Sequence, residues 1–262
     1  MKFARAALLV IAAASTRAHD TWFEPQSPNP GGHAVFALGT GSRFAQFEFP
    51  LGYEYLVDSG CRGPGASSGR LAHVEDRPAA VVVRSATPLD TREGVSCWAQ
   101  LSPFEVVVPP DKIELYLSEI QAGPALREAW AAMKARGLPW RERYTKSARI
   151  ELGGVGQRAA LPLSMDVLLA NPRGPIRAGD ELTFQVLRDG APIADLPVEL
   201  VGSQSPLGIW RKTDKQGRVR ITVPVAGRWI LRGVDLRVAG PPADEWVSWF
   251  VTLAFEVSAA VR

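Results

Sequence analysis

Three histidines, His19, His33 and His73, are the only imidazoles in the chain. Imidazole nitrogen suits copper, nickel and zinc. His19 stands in Ala18-His19-Asp20-Thr21-Trp22-Phe23-Glu24-Pro25, directly behind a segment with the layout of an export signal. Cleavage after Ala18 makes His19 the first residue of the mature protein. Its α-amine and Nδ1 then form a two-nitrogen chelate on one residue. Asp20 and Glu24 offer oxygen. A further nitrogen from His33 or His73 would complete a T-shaped histidine brace, the arrangement of copper oxidoreductases; without it the terminus is a simple binding or delivery site. His33 follows Gly31-Gly32 at the start of a strand, and His73 precedes Glu75-Asp76 in a polar stretch, both contexts that also suit surface histidines.

Residues 1–18 read as a signal peptide. Lys2 and Arg5 give a positive start, Ala6–Ala14 is an apolar run, and Thr16-Arg17-Ala18 places small residues at −3 and −1. The apolar run is shorter than the ~20 residues that span a bilayer. No later stretch reaches that length, so the mature chain is not expected to span a membrane. Lysine and arginine total 30 against 27 acidic residues, a net charge of +3. Lys2, Arg5 and Arg17 account for that excess, so the mature chain is neutral and gives no electrostatic reason to bind nucleic acid. Cys61 and Cys97 suit an oxidising compartment, where pairing is favoured over two buried thiols. Closing that loop contributes ~3–4 kcal/mol in the chain-entropy model.

The elements that must position these residues are mostly strands. His33–Leu38 reads as a strand broken by Gly39-Thr40-Gly41-Ser42, and Phe44, Phe47 and Phe49 suggest another at near period 2. Glycine and serine between Gly60 and Gly69 predict an exposed loop holding Cys61. Short apolar runs follow at 79–83, 96–101 and 104–108, as in a sandwich or barrel. Asp111 then caps a helical stripe (Ile113, Leu115, Tyr116, Leu117, Ile120), interrupted at Gly123-Pro124 and resumed to Gly137. Arg141-Glu142-Arg143-Tyr144-x-Lys146 reads as a solvated charge run or an anion site. Alternating segments from Leu163 onward, with a hairpin turn at Asp189-Gly190 and another at Asp214–Gly217, suggest an immunoglobulin-like sandwich. The expected architecture is mainly β. Residues 19–157 form an N-terminal β domain with a helical insertion near 111–137, and 158–262 form the sandwich.

Several segments together resemble an exported bacterial family, domain of unknown function 4198, grouped with nickel/cobalt uptake components. They are Ala18-His19-Asp20-x-Trp22-x-Glu24-Pro25, Leu101-Ser102-Pro103-Phe104-Glu105, Pro110-Asp111-Lys112-Ile113-Glu114-x-Tyr116-Leu117 and Arg141-Glu142-Arg143-Tyr144-x-Lys146-x-Ala148. Further on are Gly179-Asp180-x-Leu182-x-Phe184, Thr213-Asp214-x-x-Gly217-Arg218-Val219 and Trp246-x-Ser248-x-Phe250-x-Thr252-Leu253-x-Phe255-Glu256. The resemblance implies the same two-part β architecture and a periplasmic protein connected with metal handling. Where the family carries a histidine in a Val-His-Met-like context, this chain has Gly233-Val234-Asp235-Leu236, an oxygen donor at the matching place.

The functional expectation is a periplasmic protein that binds or delivers nickel, cobalt or copper without catalytic turnover. Its candidate ligands are His19, Asp20, His33, His73 and Asp235. Its partner would be an envelope metal-uptake component or an outer-membrane receptor. A structural or interaction module is the second reading, and a copper oxidoreductase the third. No phosphate-binding glycine loop, nucleophile elbow or His-Glu-x-x-His helix occurs to suggest other chemistry.

Overall fold

Strict alternation along two long strands organises the molecule. A computed structural model describes residues 19–27, 31–63, 66–153, 159–170, 174–205, 207–239 and 244–260. The expected signal peptide, residues 1–18, lies outside the described residues. The strands are β1 (Asp20–Pro25), β2 (Val35–Gly41), β3 (Leu56–Gly63), β4 (Ala66–Ser68), β5 (Ala72–Arg77), β6 (Ala80–Arg84), β7 (Val95–Leu101) and β8 (Phe104–Val108). Two helices follow, α1 (Pro110–Glu119) and α2 (Pro124–Ala135). Then come β9 (Trp140–Leu152), β10 (Met165–Leu169), β11 (Glu181–Arg188), β12 (Ala191–Pro192), β13 (Pro197–Gly202) and β14 (Ile209–Lys212). The chain continues through β15 (Arg218–Thr222), β16 (Gly227–Ala239) and β17 (Glu245–Val257).

The central layer is a nine-stranded sheet in the order β14-β13-β16-β17-β9-β7-β3-β4, with β8 also on β9. On β9 and β17 the even-numbered side chains face one way and the odd-numbered ones the other, as a period of two requires. Over the odd face lies the sheet of β10, β11, β12 and β15, with Leu231, Val251 and Leu253 packed against Val167, Phe184 and Val186. On the even face, the sheet β1-β2-β6-β5 covers Ala148, Ile150 and Ala254. Beside it, the α1–α2 hairpin covers Trp140, Trp246, Phe250 and Leu236. The mainly β architecture, with a sandwich in the second half, is thus as the alternation predicts.

The expected boundary after residue 157 does not separate the sheets. β17 returns to pair with β9 in parallel, from Trp246 opposite Glu142 to Ala254 opposite Ile150. β13, β16 and β17 therefore belong to one layer with strands of the first half. β17 carries apolar residues on both faces, Val251, Leu253 and Phe255 on one and Trp246, Phe250 and Ala254 on the other, and so serves more than one core, whereas the odd face of β9 is polar.

Local departures have local causes. β2 runs on through Gly39-Thr40-Gly41, because at Gly39 a Cβ would collide with the Phe47 ring and at Gly41 with the Gln46 carbonyl. Those glycines permit close approach and do not break the strand. Phe44, Phe47 and Phe49 form no strand of their own; Phe44 and Phe47 wrap the buried Trp22 at ring-centroid distances of 5.6 and 5.0 Å. Cys61 sits within β3 directly opposite Cys97 of β7, and the two form a disulfide in the core beneath β1. The predicted loop around it is a buried strand for that reason. α1 starts with Pro110 at its first turn, preceded by Pro109 as cap, so Asp111 lies inside the helix and makes no capping bond.

On the odd face a charged cluster is sealed in the interior. Arg149, 0% exposed at its side chain, bonds Glu151 at 2.6 Å and Asp166 at 3.0 Å. Ser96 donates to Glu151 at 2.8 Å and accepts from Arg149 at 3.2 Å. Asp166 also accepts the backbone N–H groups of Leu161 and Val167 at 2.9 and 2.8 Å. This cluster joins β7 and β9 to β10.

Candidate metal centre

His19 lies at the seam where the β1 sheet meets the helical hairpin over the central layer. Asp20 is paired with Gly41 at the end of β1, so His19 extends just past the ladder. Its ring rests on Phe49, with centroids 4.0 Å apart and planes 33° apart. Nε2 is buried and has no hydrogen-bond partner among the described residues. Burial, reinforced by the charge of Lys146, pushes the imidazole down to about 4 against weaker opposition from Glu48 and Asp20. At neutral pH His19 is therefore an uncharged imidazole, the form that ligates metals.

The floor of the seam is made by β9, β16 and β17. Lys146 is 8% exposed and enters no ion pair among the described residues. Its ammonium lies 5.5 Å from the Tyr144 ring centroid and 5.7 Å from that of Phe250, within cation–π range. Burial pulls it down to about 8, with Asp20 opposing. Asp20 is not available as a ligand. Its Oδ2 is 2.6 Å from Arg232, whose Nε is 2.7 Å from Glu199. Burial works against the Arg232 charge, but the two carboxylates outweigh it and raise its pKa. Thr252 anchors the strand by donating to the Thr21 carbonyl at 2.6 Å.

The other expected ligands are placed elsewhere. His33 precedes β2 at the end opposite Gly41, on the order of 25 Å along the strand from His19. Its Nδ1–H donates to the Ser85 carbonyl at 2.8 Å, and Arg84 packs against the ring. His73 on β5 pairs with Val83, which pairs with Phe36, so it too lies at the far end and three strands across, roughly 14 Å away in that direction alone. Its Nε2 is 3.1 Å from Asp76. Asp235 is on the odd face of β16, opposite to Arg232. Arg188 holds it at 2.9 Å and Arg237 at 3.2 Å. Glu24 sits 3.1 Å from Arg228.

A histidine brace therefore has no second imidazole within reach of His19, because the β1–β2–β6–β5 register spreads the three histidines to opposite ends. Among the described residues no group of three His, Cys, Asp or Glu side chains is placed to hold a metal ion. Asp20, His33, His73 and Asp235 are each held by protein partners, and His19 is the one of the five candidates with a buried ring nitrogen unpartnered among the described residues.

Of the Arg141–Lys146 stretch, which reads in the sequence as one charged run, Lys146 acts on His19. Period two resolves it. Glu142 and Lys146 point inward under Trp140 and Tyr144, while Arg141 and Arg143 are exposed on the other face. The signal was the pattern Trp140-x-Glu142-x-Tyr144-x-Lys146, one face of a strand too apolar for solvent.

A polar cavity of about 270 Å³ opens beside Asp20 and Arg232, with Arg43, Glu199, Ser203 and Ser205 on its wall. No curated protein matches the chain. Residues 143–234, from β9 into β16, match the model of a domain of unknown function (DUF4198), so the chain resembles that family over the stretch that supplies Lys146, Glu199 and Arg232 to the seam.

Proposed function

We propose that the protein is an exported, periplasmic carrier of a transition-metal ion, nickel, cobalt or copper, held at an open site by His19 and without catalytic turnover. The observation that carries this reading is the uncharged His19 imidazole, the form in which Nδ1 can chelate together with the α-amine, with Nε2 buried on the protein side. With the signal segment removed after Ala18, the α-amine and Nδ1 form the two-nitrogen chelate, and the buried Nε2 takes no part in it. One residue then supplies at most two nitrogens and leaves the rest of the coordination sphere to water or to a partner's ligands. Such a sphere suits handing the ion on rather than storing it, and an envelope uptake component is the partner it fits. Among the three ions copper binds nitrogen donors most tightly.

The test is a titration of the protein beginning at His19 with Ni(II), Co(II) and Cu(II). His19→Ala and a form extended by Gly-Ser ahead of His19 are each expected to lose about tenfold or more in affinity, about 1.4 kcal/mol. Equal affinity of His19→Ala and the parent would overturn the reading.

A second reading, an interaction module for an envelope partner, is favoured by a different observation. The four other candidate ligands are all engaged by protein groups. The edge strand β8, moreover, presents Val106 and Val107 at 37% and 57% exposure. A partner captured in pull-down by the parent and lost on Val107→Lys, with no metal retained by either, would favour this reading.

A further inference from the structure

Glu142 on β9 lies beneath the helical hairpin and is 4% exposed. Its carboxylate is held by neutral donors alone. The Tyr116 hydroxyl of α1 donates to Oε1 at 2.9 Å and the Trp140 indole N–H to Oε2 at 2.8 Å. The Ser248 hydroxyl of β17 also donates to Oε1. Around this cluster the Trp140 and Trp246 rings stack at 3.9 Å and 7°, and Trp130 of α2 meets Trp140 edge-on at 5.5 Å. Trp246 Nε1 is buried with no partner among the described residues.

The charges facing this carboxylate are few. From α1 comes Tyr116, and from its own strand Tyr144, pushed up to about 12 by burial and then by the Glu142 charge. Lys146 is the next inward residue on β9, turned toward β1 and Asp20. α2 presents Trp130 and Met133, β16 presents Val234 and Leu236, and β17 presents Trp246 and Phe250, with Ser248 between. Among the described residues no cation pairs with Glu142. A protonated carboxyl is satisfied here, since Trp140 still donates and one hydroxyl can rotate to accept its proton. An ionised one keeps its three neutral donors but has no counter-charge under an apolar lid.

We propose that Glu142 is a proton-operated latch for the α1–α2 hairpin, closed over the Trp140–Trp246 pair when the carboxyl is neutral and released when it ionises. The sign follows from the direction in which burial moves the group. Burial raises the folded-state carboxyl above its ordinary value, against the three donors. Closure is therefore strongest at low pH and weakens as pH rises through the folded-state value.

The experiment uses the full mature chain. Amide exchange over residues 110–135, corrected for intrinsic rates, is followed with near-ultraviolet circular dichroism of the tryptophans as pH is raised from about 4 to about 9. Hairpin exchange is expected to accelerate about tenfold or more with a single-proton profile, while β13 and β16 stay protected. Glu142→Gln flattens the profile. Tyr116→Phe, which removes a donor to the ionised form, moves the midpoint to higher pH, an effect that a merely structural role would not produce. Constant hairpin protection in the parent, a Glu142→Gln protein that titrates like the parent, or an unmoved midpoint in Tyr116→Phe overturns the proposal.

Discussion

Arg149 and Lys146 stand three residues apart on β9, both buried and both cationic, and they differ in how completely their neighbours answer them. Arg149 on the odd face meets two carboxylates and a hydroxyl, and those carboxylates draw further backbone and side-chain donors. Lys146 on the even face has two aromatic rings, no ion pair among the described residues, and an imidazole nearby whose Nε2 is unpartnered. A closed cluster has no capacity left for a ligand; its groups exist to join β7, β9 and β10. The open one has capacity, and it is there that a binding function has chemical room. Buried charge by itself does not mark a site, whereas buried charge or nitrogen left unanswered does.

The largest expected effect is on the closed side. Arg149→Met leaves Glu151 and Asp166 buried without a cation, which costs roughly 3–5 kcal/mol. A shift of the urea midpoint with unchanged slope is the measurement, and a loss below about 1 kcal/mol would erase the distinction between the clusters.

Lys146→Met tests the open side, where the opposite outcome is expected. The parent's stability should rise between pH about 8 and the ordinary lysine value of 10.5, because the folded state gives up its proton first. That rise is up to about 3 kcal/mol and is absent in Lys146→Met. At neutral pH the variant is at least as stable as the parent, and its affinity for Cu(II) is higher by about threefold to tenfold, since the cation beside His19 is gone. Weaker copper binding in Lys146→Met would show that Lys146 supports the ligand rather than opposing it.

The smallest effect concerns His19 itself. Its depressed value means that the folded state resists protonation, so stability is full above pH 6.5 and falls as pH drops towards about 4. The partly exposed ring limits the loss to about 1–2 kcal/mol. His19→Phe keeps the stacking on Phe49 and removes this acid limb in thermal denaturation.

Much of the scaffold was legible in the sequence. Trp22 reads as a core anchor, and the Gly123-Pro124 break between two helical stripes is a local signal that the fold keeps. What escaped depends on partners outside each residue's own element. Gly39 and Gly41 look like breakers until Phe47 and Gln46 are known to press on them. Cys61 looks exposed among glycines until Cys97 stands opposite. Asp235 looks like a substitute ligand until strand parity turns it away from His19 and toward Arg188. Lys146, the strongest neighbour of His19 apart from burial itself, was masked by the exposed arginines that alternate with it. Local pattern gives faces; what meets across them is decided by pairing between separate segments, at long reach in contacts such as the Ser248–Glu142 bond with its separation of 106.

The parallel pairing of β17 with β9 bears on how the chain acquires its shape. Neither β9 nor β1 can complete its contacts until β17 exists: Thr252 reaches Thr21 across 231 residues and Arg232 reaches Asp20 across 212. β1 can pair with β2 early, but a ribosome releasing the polypeptide from its amino end would deliver some 240 residues before that pair can dock on β17. Such topologies assemble slowly, since the loop entropy is spent before the pairing rewards it. The seam beside His19 is then complete only once β17 is in place, and a chain lacking β17 would carry the histidine without the surface that shapes it.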